Sequence, residues 1–410
     1  MIGKGNGMSL NDTPNGSRIH IGFFGRRNAG KSSLINKVIG QEISVVSEKK
    51  GTTTDPVTKA MELLPLGPVL MIDTPGFDDD EGTLGMQRVR RAAGIMRRVD
   101  VAVLVTDTPG ELSPEEQEIA ELFQKKEVPF LLVRSKADRI AGENRRQDGL
   151  YVSAHTGEGI EELKEAIGAL LPKREEKRLV RDLLEPGDLA LLVMPIDESA
   201  PKGRLILPQV QTMRDILDAG AVSIAVQPPE LPALLQKLAV RPKLVITDSQ
   251  VFEEVAEIVP DEIPLTSFSI LMARYKGFLR TAAQGVSALG SLQKGDRVLI
   301  AEGCTHHRQC NDIGTVKIPR WLREFTKNRI EIETCSGQSF PEDLSSYRMV
   351  LHCGGCMLNE REILWRMKCA EEQGVPFLNY GLTIAFMKGI LLRSLEPFPE
   401  FSGSSKAVST

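Results

Sequence analysis

The chain has 410 residues, a formal net charge of −4 and six cysteines. That length suits two or three domains with cores of their own, because single cores stop growing well below it. The acidic balance gives no chain-wide basic field, so nucleic acid is not an expected partner, and the longest apolar runs, such as Leu189 to Ile196, fall far short of the roughly 18 residues that span a bilayer. No membrane association is therefore expected. Residues 1–17, rich in Gly, Asn and Ser, lack the apolar core of a secretory signal and read as a flexible tail of a cytoplasmic protein. All six thiols lie between Cys304 and Cys369, which points to metal or redox chemistry more than to a disulfide framework.

In chain order, Arg18 to Phe24, Val69 to Asp73, Val101 to Thr106, Pro129 to Val133 and Leu150 to Ser153 read as strands, with a helix from Lys31 and another over Gly157 to Leu171. That alternation predicts a parallel α/β domain over residues 18–172. A second α/β alternation follows over 173–264, from Leu189 to the Pro260 and Pro264 pair, with no obvious catalytic residue. A third spans 265–398, with strands Arg297 to Ala301, Arg329 to Glu333, Met349 to His352 and Pro376 to Asn379, and residues 399–410 form a tail. The predicted fold class is thus α/β in three domains.

Gly25-Arg26-Arg27-Asn28-Ala29-Gly30-Lys31-Ser32 fits the GxxxxGK[ST] loop and sits between a strand and a helix, the context that the motif requires. Backbone amides of Gly25 to Ser33 cradle phosphates in such a loop, the lysine reaches the outer phosphates and the Ser32 hydroxyl binds Mg2+. Asp73-Thr74-Pro75-Gly76 ends a strand, putting a carboxylate near the metal and a glycine amide near the terminal phosphate; Thr53 is the candidate for a magnesium-sensing hydroxyl. Ser135-Lys136-Ala137-Asp138 follows another strand, and the acceptor-only Asp138 suits the N–H donors of guanine. Ser153 and Ala154 are placed to bring a backbone amide to the guanine carbonyl.

These segments resemble the guanine-nucleotide motifs of the translation-factor-related GTPases, especially the tRNA-modification and Era-like group, over about 150 residues. Two departures stand out. Ser135 replaces the usual asparagine, so one bond supporting the base loop is weakened or replaced, and Phe77 leaves no glutamine there to orient water, so hydrolysis is expected to be slow. Asn28 matches the residue that helps to hold K+ in the potassium-activated members; a role limited to stabilising the loop is its plainer reading.

Cys304 follows one predicted strand and Cys353 ends another, so both belong where ligands collect in an open α/β sheet. Cys353 and Cys356 have the CxxC spacing, and Gly354 and Gly355 permit amides to approach the sulfurs. A Cys3His zinc site, a redox dithiol and a 4Fe-4S cluster with one iron lacking a thiolate all suit these ligands. His306 has better geometry as a further ligand than His352, since adjacent residues of an extended chain point to opposite faces. Cys310, Cys335 and Cys369 read as packed small hydrophobes, His20 and His155 as structural or loop-supporting residues, and His307 equally as a donor to a metal ligand or as a packing residue.

With Cys304-Thr305-His306-His307-Arg308-Gln309-Cys310, Ile318-Pro319-Arg320-Trp321 and His352-Cys353-Gly354-Gly355-Cys356 following the GTPase motifs, the whole chain resembles the FeFe-hydrogenase maturation GTPases, the HydF type. The resemblance implies a GTPase domain (18–172), a dimerisation domain (173–264) and an iron–sulfur domain (265–398). It further implies a 4Fe-4S cluster on Cys304, Cys353 and Cys356 with an exchangeable fourth position. The implied role is a homodimeric scaffold that takes a two-iron precursor, works with radical-SAM maturases and delivers to apo FeFe-hydrogenase, using GTP, Mg2+ and K+. The main rival expectation is an RNA- or ribosome-associated GTPase with a zinc-stabilised accessory domain; a redox-sensing GTPase is the third.

Overall fold

The computed structural model describes residues 13–40, 47–49, 56–64, 66–76, 92–142, 145, 148–171, 177–196, 205–304, 312–327, 330–337 and 339–401. Thr53, Phe77, His306, His307 and Cys310 lie outside the described residues. The chain divides into two compact units, residues 1–175 and 176–410.

In the first unit the strands are β1 (Ile19–Phe24), β2 (Ser47–Lys49), β3 (Val57–Leu63), β4 (Gly67–Asp73), β5 (Val101–Thr106), β6 (Phe130–Arg134) and β7 (Leu150–Tyr151). Among the described residues they form one sheet in the order β2-β3-β4-β1-β5-β6-β7. β4, β1, β5, β6 and β7 run parallel, so the central strands are covered on both faces and read as continuous apolar runs; all six residues of β5 are buried. The expected all-parallel sheet is corrected at one edge, where β3 pairs antiparallel with β4 and β2 antiparallel with β3. Only Ala60, Met61 and Leu63 of β3 are buried, so this strand lacks the apolar run that marks the central strands.

On one face Phe123, wholly buried in the helix Pro114–Lys125, meets Phe24 edge to face and lies tilted against Phe130, with both ring centroids 5.1 Å away. That helix starts with Ser113 as N-cap, Pro114 in its first turn and Glu116 returning a bond to the cap, a complete capping box. The helices Lys31–Ile39 and Ile160–Leu170 bury Leu34, Ile35, Val38, Leu163 and Ile167 in the other apolar cluster of this unit.

The second unit has two parallel four-stranded sheets among its described residues. The first holds β8 (Leu189–Val193), β9 (Val222–Val226), β10 (Leu244–Thr247) and β11 (Leu265–Ser267) in the order β11-β10-β8-β9. The second holds β12 (Arg297–Glu302), β13 (Glu331–Ser336), β14 (Met349–His352) and β15 (Phe377–Asn379) in the order β13-β12-β14-β15. β11 lies beyond the boundary expected at residue 264. Pro264 does not break the sheet: it enters the edge strand, where a missing N–H is tolerated, and its carbonyl accepts from Val245 N–H at 2.9 Å. One apolar core runs through both sheets, from Leu191 and Val245 to Leu299 and Leu351. Arg274 fastens separate parts of this unit, donating to both carboxylate oxygens of Asp182 at 2.9 and 2.6 Å and to Glu400 at 3.1 Å.

No described helix is long and apolar enough to cross a membrane. Phe123→Ala is expected to cost about 3–5 kcal/mol by leaving a cavity among Phe24, Phe130 and Ile119; denaturant unfolding of the variant measures the loss.

Candidate functional site

Parallel strands deliver their following loops to one edge of a sheet, and the nucleotide motifs occupy that edge in the first unit. Gly25 leaves β1 so close to β5 that a Cβ would stand 2.3 Å from the Val105 carbonyl oxygen. Asn28 at φ 58° and Gly30 at φ 99° then turn the loop into the helix Lys31–Ile39, conformations easy for glycine and accessible to asparagine. Ala29 is buried. The Lys31 ammonium lies inside the loop, donating to the carbonyls of Gly25 at 2.9 Å and Arg26 at 2.8 Å.

Ser32 donates to Asp73 Oδ2 at 2.5 Å. The other oxygen, Oδ1, is buried with no hydrogen-bond partner. Burial pushes the Asp73 carboxyl above its ordinary range, while the Ser32 hydroxyl and the Lys31 and Lys59 charges pull it down. A buried carboxylate oxygen without a partner beside a serine hydroxyl at a phosphate loop fits a divalent cation. Thr74 fixes the strand end by donating to Phe23 O at 2.7 Å, and Gly76 follows at the limit of the described segment.

On the base side, Gly30, Ser33, Ser135, Lys136, Asp138 and Ala154 line a cleft of about 680 Å³. Ser135, standing where the related GTPases have asparagine, is buried, and its hydroxyl donates to Ala29 O at 2.5 Å with Thr106 O at 3.2 Å. The tie between base loop and phosphate loop is thus made by the shorter side chain. Ser153, also buried, donates to Asp138 Oδ1 at 2.5 Å, and this bond holds the Asp138 carboxyl below the usual range. Lys136 adopts φ 56° and pairs with Asp107 at 2.7 Å; Asp107 also faces Arg26 of the phosphate loop at 3.4 Å. Asp107 lies outside the nucleotide motifs, and Arg26 holds a position in the phosphate loop at which the motif specifies no side chain.

In the second unit, the register sets Ala301 beside His352 and His352 beside Asn379. Cys304, Cys353 and Cys356 therefore leave β12 and β14 at one edge. Cys353 Sγ accepts from Gly303 N–H at 3.1 Å and Gly355 N–H at 3.4 Å. The glycines are required by space: a Cβ on Gly354 would lie 2.9 Å from Met272 Cβ, and one on Gly355, at φ 68°, 2.1 Å from Ile363 Cδ1. Burial pushes all three thiols up. Cys304 is raised further by Cys353 and Cys356, and Cys356, at about 12, is raised by Cys353 and lowered by Lys276.

His352 is corrected as a ligand candidate. It is fully buried, its Nδ1 lies 2.7 Å from Cys353 O and its Nε2 3.2 Å from the Arg366 guanidinium, so both ring nitrogens are taken up inside the protein. Burial and Arg366 lower its pKa to about 3, which keeps it neutral, with Nδ1 donating and Nε2 accepting. Arg366 is itself buried, bonded to Glu362 at 3.0 Å and to Gly337 O at 2.5 Å, so a chain of partners steadies the strand end that carries Cys353. Lys276, buried, donates to Leu358 O at 2.6 Å and braces the same loop from the helix Phe268–Tyr275 side. Neither contact is encoded by local spacing. Among the described residues no three of His, Cys, Asp and Glu are placed to hold a single metal ion.

Ser135→Ala is expected to weaken guanine-nucleotide binding about tenfold by leaving the Ala29 carbonyl unpaired, measured by titration with a fluorescent GDP analogue. Because Asp138 stays ionised below the normal carboxylate range, affinity should hold steady from pH 7 to about 5; Ser153→Ala should move its fall upward, toward the ordinary aspartate value of about 3.9. An unchanged pH profile in Ser153→Ala would contradict the assigned bond.

Residues 20–136 match the family model described as a 50S ribosome-binding GTPase. The chain is 32% identical over 179 residues to the tRNA modification GTPase MnmE of Dichelobacter nodosus, covering 42% of this chain and 38% of that protein. It is 30% identical over 165 residues to the GTPase Era of Carboxydothermus hydrogenoformans, covering 37% of this chain and 55% of that one. Among solved structures it is similar to Era of Aquifex aeolicus, at 20% identity and a TM-score of 0.31, covering 51% of this chain and 92% of that one. Residues 179–277 match the hydrogen maturase F dimerization domain and residues 280–397 the hydrogen maturase F tetramerization domain. Those two models together account for more than half of the 410 residues and follow a GTPase model, and the chain belongs to the hydrogen maturase F family.

Proposed function

We propose that this chain is a GTPase whose C-terminal segment holds a 4Fe-4S cluster and carries a two-iron precursor to apo FeFe-hydrogenase, with GTP hydrolysis regulating partner exchange. The observation that carries the reading is the set of three thiols at one sheet edge, Cys304, Cys353 and Cys356, with amide donors from Gly303 and Gly355 on one sulfur. Amide donors to sulfur and glycine-lined approach suit thiolates that bind a cluster. A cubane takes each thiolate on a different iron, so its ligands need not converge on one ion; a mononuclear zinc site does, and the described residues do not assemble one. When bound, such a cluster supplies an iron with an exchangeable coordination position. His306, outside the described residues, remains a proposed further ligand, and the radical-SAM maturases are proposed sources of the precursor.

In the first unit, Lys31, the loop from Gly25 to Ser33 and the Gly76 amide bind phosphates, Ser32 and Asp73 hold Mg2+, and Thr53 senses it. Asp138 reads guanine, supported by Ser153, while Lys136 and Ala154 wall the base cleft. Asn28 would help to hold K+, whose positive charge would offset the negative charge developing on the transferring phosphate, as an arginine does elsewhere. The dimerization and tetramerization models support a self-associating protein, and a homodimer is the proposed minimum. The ribosome- and tRNA-related descriptions favour an RNA-acting GTPase as the second reading, but they concern the N-terminal part.

Anaerobic reconstitution with iron and sulfide, followed by metal analysis and EPR, tests the cluster: about four irons per chain are expected. Uptake should fall sharply in Cys304→Ser, Cys353→Ser and Cys356→Ser and persist in Cys369→Ser. Stoichiometric zinc without a cluster signal would favour the accessory-domain reading. GTP turnover should be faster in K+ than in Na+, and Asn28→Ala should abolish the difference; equal rates in both salts for the unmodified protein would remove the potassium assignment.

A further inference from the structure

Tyr380 is the first residue beyond β15, the strand next to β14, and its predecessor Asn379 is in register with His352. It therefore leaves the sheet at the same edge as Cys353 and, two strands across, Cys304. Its side chain is only 3% exposed, yet its hydroxyl has no hydrogen-bond partner. A buried phenol keeps its hydroxyl at a cost unless something accepts from it.

The surroundings narrow what that acceptor is. A Cβ on Gly314, in the π-helical turn Ile313–Lys317, would stand 2.8 Å from Tyr380 Oη and 2.0 Å from Glu302 Oε1, so the phenol and this carboxylate both pack closely against a residue where no side chain would fit. Glu302 is buried and immediately precedes Gly303, whose N–H bonds Cys353 Sγ. Asp312 is buried nearby. Burial, together with Cys353, Glu302 and Asp312, raises the phenol's pKa well above its ordinary value, so it stays a donor at neutral pH.

We propose that Tyr380 is a positioning residue of the thiol site, its hydroxyl donating a hydrogen bond to the metal group that Cys304, Cys353 and Cys356 hold. The inference rests on the cluster reading above. Hydrogen bonds to a cluster or its ligands raise its reduction potential by favouring the more negative state. Tyr380 thus helps to set that potential without being a ligand.

The test uses full-length Tyr380→Phe beside the unmodified protein, both reconstituted anaerobically. Iron and sulfide content should match, while the midpoint potential shifts to more negative values and the EPR spectrum of the reduced cluster changes. In the metal-free protein the thermal midpoint should stay the same or rise, since the variant removes a hydroxyl that nothing in the chain satisfies. Equal potentials and identical spectra would overturn the proposal, leaving the hydroxyl to an ordered water. A lower thermal midpoint in the metal-free variant would also overturn it, by revealing a partner within the protein. Failure of the unmodified protein to take up iron would instead sink the cluster reading, and this proposal with it.

Discussion

Parallel strand pairing is the constraint on which both candidate sites depend. A parallel strand must be followed by a crossover, so the loops that leave successive strands gather at one edge, each carrying backbone groups that the sheet has not used. In the first unit β1, β4, β6 and β7 bring the phosphate loop, Asp73, Ser135 and Asp138, and Ser153 to that edge. In the second, β12, β14 and β15 bring Cys304, Cys353 and Tyr380 to theirs. Residues more than forty positions apart in sequence become neighbours because the register leaves them no other place.

The chemistry at the two edges differs because the groups that follow the strands differ. The nucleotide edge is built from hydroxyls, amides and carboxylates suited to hard cations and phosphate, with Ser32 and Asp73 at its centre. The other edge is built from soft thiols in a mostly apolar setting, steadied by buried charge: Arg366 and Glu362 behind His352, Lys276 under Leu358. Unpaired, such buried charges would be costly; here each has a partner that also fixes a strand end or a loop.

Much of this was legible in the sequence because it is written in local patterns. The apolar runs of β1, β5 and β14 identify buried parallel strands, and the phosphate loop and CxxC pair have fixed spacings that follow them. β3 carries no such run, because a strand of the edge arm with only three buried residues needs none. The Ser135 departure was visible, but its remedy was not: that Oγ still reaches Ala29 depends on how far β6 brings the base loop toward β1. His352 could be demoted from its adjacency to Cys353, whereas Arg366, Lys276 and Tyr380 carry no local sign of their roles. Each acts across 14 residues or more, through packing that only register determines.

The core shared by the two C-terminal sheets sets how these segments can be inherited. Met272 lies against Gly354, and Lys276 holds the Leu358 carbonyl, so the end of the dimerization segment is the floor of the thiol loop. A module joined by a linker can be lost, duplicated or exchanged without disturbing its neighbour. These two share a packed boundary, so a change of side chain at Met272 is a change at the cysteines.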